Sequence, residues 1–130
     1  MPWILLKPIN YNVMTMLLIL INIILAVVGQ TITKVGITKI GSFTDMPIRD
    51  FIIKAFLSPL VLTGLFLYII SAIIWFMVLS KVDLSVAYPT LSLGYIIILF
   101  VGYFYLGEPL SVIKFMGVLL ICGGVYLIFS

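Results

Sequence analysis

Four long apolar runs, none with a charge near its centre, constrain this chain more than any other feature. A helix advances about 1.5 Å per residue, so crossing a hydrocarbon core of about 30 Å takes roughly 20 mostly apolar residues. The runs cover approximately 11–33, 52–79, 84–106 and 110–129. A chain of 130 residues that is 65% hydrophobic and 8% charged has no interior large enough to hide those side chains from water. Lipid is therefore the expected solvent. The first run is too long for the apolar stretch of a signal peptide, and no small-residue cleavage site follows it. It is expected to be a retained span. The second run is long enough to tilt or to begin as a helix lying in the interface.

The connections set the arrangement. "SKVD" joins runs two and three, and Asp83 suits a helix N-cap. "LGEP" joins runs three and four, where Glu108 faces the positive end of the next helix and Pro109 suits its first turn. Turns this short force antiparallel neighbours. The expected fold is an all-α integral membrane protein, a single domain over 1–130 with four transmembrane helices in a compact antiparallel bundle. Only "KVGITKIGSFTDMPIRD", Lys34 to Asp50, is long enough to be a site-forming loop. Lys34, Lys39, Arg49, Lys54 and Lys114 fall on one side, Lys7 and Lys81 on the other. The positive-inside rule then puts loops one and three in the cytoplasm and both termini outside.

Several chemistries are excluded. There is no histidine, so histidine acid–base catalysis and serine–histidine triads are absent. Cys122 is the only cysteine and lies in an apolar run, which leaves no disulfide framework and no cysteine metal site. No nucleophile–base pair stands out. No enzymatic activity, cofactor or metal is expected. The net charge of +3 is too small and too dispersed for a nucleic-acid surface. The deep parts of the runs hold no Asp, Glu, Lys or Arg, so the titrating carboxylate of a proton-coupled pump is missing.

Uncharged polar residues fall instead into helical stripes. Asn22, Ala26 and Gln30 recur every four residues, with Lys34 next. Gly64, Tyr68, Ser71 and Trp75 share one face of the second run, and Tyr88, Ser92 and Tyr95 one face of the third. Such stripes either glue helices together or line a shared polar cavity. Tyr103 and Tyr105 sit where an interfacial aromatic belt belongs. Pro89 removes a backbone hydrogen bond and clashes with the carbonyl of Ser85, and Gly94 adds freedom nearby. The third helix is expected to bend there, as a fixed kink or as a hinge for alternating access. Gly117 and Gly124 share a face of run four, with Gly123 beside it, and mark a groove for a close helix–helix contact.

"AVVGQTITKVG", "LSKVDLSVAYPTLSLGYIIIL" and "YFYLGEPLSVIKFMGVLLICGGVYLI" resemble the four-span members of the drug/metabolite transporter superfamily. In the small multidrug resistance branch, a glutamate stands three residues before the glycine that matches Gly29; here that position is Ala26. Ala87-Tyr88, Gly117 and Gly124 still match that branch, which implies dimerisation through the fourth helix. A second branch comprises the small subunits that flip undecaprenyl-phosphate-linked aminoarabinose for lipid A modification. It is similar at Gly29-Gln30, Lys34, "AYPTLSLGY" and "GEP", and it too lacks the glutamate. The resemblance implies a multi-pass protein of the bacterial cytoplasmic membrane that moves a polyprenyl-phosphate-linked sugar, as a homodimer or paired with a similar small subunit. Its expected substrate-contacting residues are Asn22, Gln30, Lys34, Arg49, Tyr68, Ser71, Trp75, Tyr88, Ser92 and Tyr95, with Pro89 and Gly94 as the hinge. Lys34 is the expected phosphate contact and Arg49 the second. Glu108 is either a helix cap or part of the site. The alternative is an exporter of small metabolites or cationic compounds, held through Tyr88 and Trp75.

Overall fold

The computed structural model describes residues 11–129. Lys7, used above for orientation, lies outside the described residues. All regular structure among the described residues is helical: α1 (Val13–Ile40), α2 (Ile48–Leu57), α3 (Pro59–Leu79), α4 (Leu84–Leu91), α5 (Gly94–Leu106) and α6 (Val112–Phe129). In lipid the backbone must satisfy its own polar groups, and a helix does so within one segment. Three stretches are long and apolar enough to cross a membrane: α1, α3, and α4 with α5 taken together. The apolar run Val112–Ile128 is shorter.

The first helix is longer than the apolar run that announces it. Asn12 starts it, its Oδ1 accepting from Thr15 N at 3.0 Å and from Thr15 Oγ1 at 2.8 Å. It then continues through Lys34, Gly36 and Lys39 and stops at Gly41, whose φ of 103° suits a residue without Cβ. The expected site-forming loop over 34–50 is thus mostly helix, and only 41–47 connects α1 to α2. The second run divides. Ser58 accepts from Val61 N and Pro59 opens α3, where its missing N–H costs nothing. The ten-residue α2 is too short to cross, and Asp50 in its first turn and Lys54 in its last suit its dipole. This run, expected either to tilt or to begin in the interface, is thus divided at Ser58. Asp83 occupies the N-cap position of α4 but makes no capping hydrogen bond with its side chain.

α1 packs mainly on α3. The residue pairs give the direction: Asn22 meets Ser71, Gly29 meets Gly64, and Gly36 meets Leu60 and Val61. Numbers rise on one helix as they fall on the other, so the two are antiparallel. The crossing is backbone-close. A Cβ added at Gly64 would lie 2.1 Å from Thr33 Oγ1 and 2.7 Å from the Gly29 carbonyl oxygen. Gly94 at the start of α5 rests on Ile23 and Val27 of α1. A separate apolar cluster of Val78, Val82, Val86 and Ala87 ties the end of α3 to α4.

The helix of the third run is interrupted between α4 and α5, at Ser92 and Leu93. Pro89 lies inside α4, one turn before the break, and Ser92 Oγ donates to the Pro89 carbonyl. α6 touches the rest only thinly, through α4 and α5.

Candidate functional site

The polar stripes of α1, α3 and α4–α5 converge on one cavity of about 450 Å³. Asn22, Ala26 and Gln30 line it from α1, Tyr68, Ser71 and Trp75 from α3, and Tyr88, Ser92, Gly94 and Tyr95 from α4 and α5. The cavity straddles the midpoint of α1, so it sits where a spanning helix is deepest in lipid. Its back wall is the buried pair Asn22 and Ser71, 3% and 5% exposed. Ser71 Oγ donates to Asn22 Oδ1 at 2.8 Å, which leaves the Asn22 amide hydrogens free to face a ligand. Nearer one end, Gln30 Nε2 donates to the Tyr68 hydroxyl over 3.5 Å. Nearer the other, the Trp75 and Tyr88 rings meet edge to face, 5.5 Å between centroids and 89° between planes. Such a pair offers one ring face to an apolar sugar surface or to a cation.

None of the lining residues is an Asp, Glu, Lys or Arg. Among the described residues, no side-chain nitrogen or oxygen atom that is itself fully enclosed lacks a hydrogen-bond partner. The cavity is therefore polar without being charged. It can hold hydroxyls, amides and ring faces, and it offers no group that would carry a proton across.

Not all expected site residues meet there. Lys34 is exposed on α1, one turn beyond Gln30 and outside the lining. Arg49 stands on α2 and is also outside it. Lys34 lies inside α1, well before its last residue, and Arg49 in the first turn of α2; both side chains are exposed, as cationic heads that stay in water are. Pro89 lies inside α4 and does not line the cavity. Gly64 seats the backbone of α1. Gly117 and Gly124 have nothing within 4 Å of an added Cβ. The cap of α6 is Ser111, whose Oγ accepts from Lys114 N at 3.2 Å, so Glu108 is not the cap and Pro109 precedes the first turn. Ala72, Leu91 and Ile98 line the cavity and were not anticipated. Leu91 and Ile98 fall on the Tyr95 stripe at helical spacing, a signal that polar residues alone did not reveal.

The model of the EamA-like transporter family matches residues 4–130. The chain belongs to that family. It is also 41% identical over 71 residues to a probable 4-amino-4-deoxy-L-arabinose-phosphoundecaprenol flippase subunit ArnE of Pseudomonas fluorescens, covering 55% of this chain and 62% of that one. A probable subunit ArnF of the same flippase from Shewanella sediminis is 45% identical over 64 residues, 47% of this chain and 43% of the relative. Another ArnF, from Serratia proteamaculans, is 31% identical over 115 residues, 84% of this chain and 87% of the relative. The first two matches thus span less than two thirds of those relatives. No solved structure matches the chain. Family and helices together make this EamA-like protein a multi-pass transporter of the bacterial inner membrane.

Proposed function

We propose that this EamA-like protein moves a polyprenyl-phosphate-linked sugar of the aminoarabinose type across the membrane, as one subunit of a flippase. The observation that carries this is the uncharged, hydrogen-bonding cavity at mid-depth. A lipid-linked sugar can keep its tail in the bilayer while only its head crosses. The head needs hydroxyl partners and ring faces, which Asn22, Gln30, Tyr68, Ser71, Trp75, Tyr88, Ser92 and Tyr95 provide. Lys34, one turn past the rim, is the cation that meets the phosphate as the head leaves. The break at Ser92–Leu93, with Pro89 before it, is where α4 and α5 swing to exchange openings. No Asp, Glu, Lys or Arg lines the cavity, and in this reading the lipid gradient drives transport. The names of the relatives supply the substrate class.

In this reading α6 is the fourth span and the chain is a single membrane domain. Its 18 residues run about 27 Å, close to the hydrocarbon thickness of about 30 Å. Gly117 and Gly124 face a second small subunit, identical or similar.

The test is head-group translocation in liposomes containing the purified subunits. Trp75→Ala and Asn22→Leu are expected to cut the rate by at least tenfold with folding intact. Unchanged rates in both would remove the cavity from the pathway. The Trp75–Tyr88 corner also supports a second reading, export of cationic compounds. Resistance to quaternary amines that depends on Trp75, with no lipid translocation, would decide for it.

A further inference from the structure

A second cavity, of about 440 Å³, lies between α5 and α6. Tyr95 and Ile98 line both cavities, so these two side chains of α5 form the partition between them. The second differs from the first in one respect. It carries both signs of charge, from Glu108 and Lys114.

The two charges do not neutralise each other. Glu108 lies over the last turn of α5, its Oε2 3.0 Å from where a Cβ on Gly102 would sit, and its backbone N–H donates to the Gly102 carbonyl at 2.9 Å. A side chain at position 102 would crowd the carboxylate, which would have to give by a few tenths of an ångström. Among the described residues the carboxylate makes no hydrogen bond or ion pair. Lys114 Nζ donates to the Pro109 carbonyl at 3.0 Å, which occupies one of its three donors. A carboxylate and an ammonium on one cavity, each with capacity to spare, match a ligand that carries an ammonium and a phosphate. Leu99, Leu110, Val118 and Ile121 give the cavity an apolar wall that suits the first carbons of a lipid tail, and Tyr103 adds a phenol to the lining.

We propose that the α5–α6 cavity is a second binding site for a zwitterionic amino-sugar phosphate head group, Glu108 accepting from the ammonium and Lys114 donating to the phosphate, with passage to the first cavity across Tyr95. This rests on the flippase reading and extends it. The first cavity recognises a sugar; the second tells an amino sugar from a neutral one. Glu108 and Lys114 flank the turn between α5 and α6, at the membrane edge, where a head group is found before or after it crosses.

The transporter in lipid nanodiscs tests this by calorimetric titration with two probes on the same short isoprenoid: 4-amino-4-deoxyarabinose phosphate, and arabinose phosphate with a hydroxyl in place of the amine. The wild type is expected to prefer the amino probe. Glu108→Gln should weaken the amino probe by roughly tenfold, the scale of one charge-assisted hydrogen bond, and leave the neutral probe unchanged. Lys114→Gln should weaken both probes, and Lys114→Arg should restore both. Equal binding of the two probes by wild type and Glu108→Gln overturns the proposal. Asn22→Leu separates the two readings. If it leaves translocation intact while Glu108→Gln abolishes the amine preference, the first cavity fails and the second stands. If it stops translocation and Glu108→Gln changes nothing, the reverse holds.

Discussion

The α1–α3 seam and α6 use the same small residue in opposite settings. At the seam, Gly29, Gly36 and Gly64 are filled by the opposite helix, with backbone or Cβ atoms within about 3 Å of where a Cβ would stand. On α6, Gly117, Gly123 and Gly124 meet nothing within 4 Å. The seam also holds the buried Asn22–Ser71 pair, whereas Ile113, Leu120, Tyr126 and Leu127 of α6 are more than 70% exposed. A glycine in a membrane helix thus records a close approach only when its partner is present. One region is a finished interface inside the chain, and the other is a surface of the chain by itself.

The sharpest way to break this comparison is Gly64→Ala. The new methyl would overlap Thr33 Oγ1 and the Gly29 carbonyl, and backbone cannot move aside as a side-chain tip can. Overpacking of this kind costs about 1–3 kcal/mol or more. The expected outcome is a large fall in the unfolding temperature in detergent, with loss of monodisperse protein. An unchanged midpoint would mean that α1 and α3 are not this close.

Asn22→Ala acts on the same seam more gently. It removes the acceptor of Ser71 Oγ, which retains only the Asn22 carbonyl at 3.3 Å. Hydrogen bonds between membrane helices average about 0.6 kcal/mol and reach about 1.7. Stability should therefore drop modestly while translocation drops by at least tenfold. Ser71→Ala should act in the same direction and, combined with Asn22→Ala, add little, since both remove one bond. Full additivity of the two would show that the pair is not coupled.

How far the sequence disclosed this arrangement depends on what kind of signal each residue carries. Apolar length placed the crossing segments, and spacing placed Asn22, Gln30, Tyr68, Ser71, Trp75, Tyr88, Ser92 and Tyr95 on faces that do meet. Hydropathy fails at span ends, where a helix continues in polar residues. Lys34–Ile40 looks like loop by composition, yet Gly36 is there because Leu60 and Val61 of α3 press against it. The seven-residue spacing of Gly29 and Gly36, with Thr33 between, was the available clue. Lys34 and Arg49 were expected at the site because they are cations near a membrane edge; neither lines the cavity, and position along a helix does not say what a long side chain reaches. Glu108 drew attention as a cap, while Ser111, a better N-cap residue, stood three positions on.

Trp75→Ala probes the aromatic corner that neither seam nor α6 contains. Its edge-to-face contact with Tyr88 is worth about 0.5–1.5 kcal/mol beyond burial. Trp75 is half-buried and its loss leaves space continuous with the existing cavity, so the chain should stay folded and the unfolding temperature should shift only slightly. Trp75→Phe, which retains a ring, should recover part of the translocation lost in Trp75→Ala. Failure of any aromatic to recover it would assign the effect to shape at this corner and not to a ring face.

The smallest effect on the chain itself belongs to α6, and it is the one that tests whether that helix is a surface awaiting a partner. Gly117→Leu and Gly124→Leu place large side chains where the structure has open space, so nothing in the chain opposes them. Glycine is also poorer than leucine in a helix by roughly 1 kcal/mol, so each substitution should leave the monomer as stable or slightly more so. The same side chains would stand in the groove that a second subunit needs. Pairing measured by energy transfer between labelled copies, or between the chain and a similar small subunit, should fall strongly for both variants. Loss of pairing with the unfolding temperature unchanged is the combination that only an intermolecular role predicts. If both variants instead destabilise the monomer, α6 packs inside its own chain, and its glycines are of the same kind as Gly64.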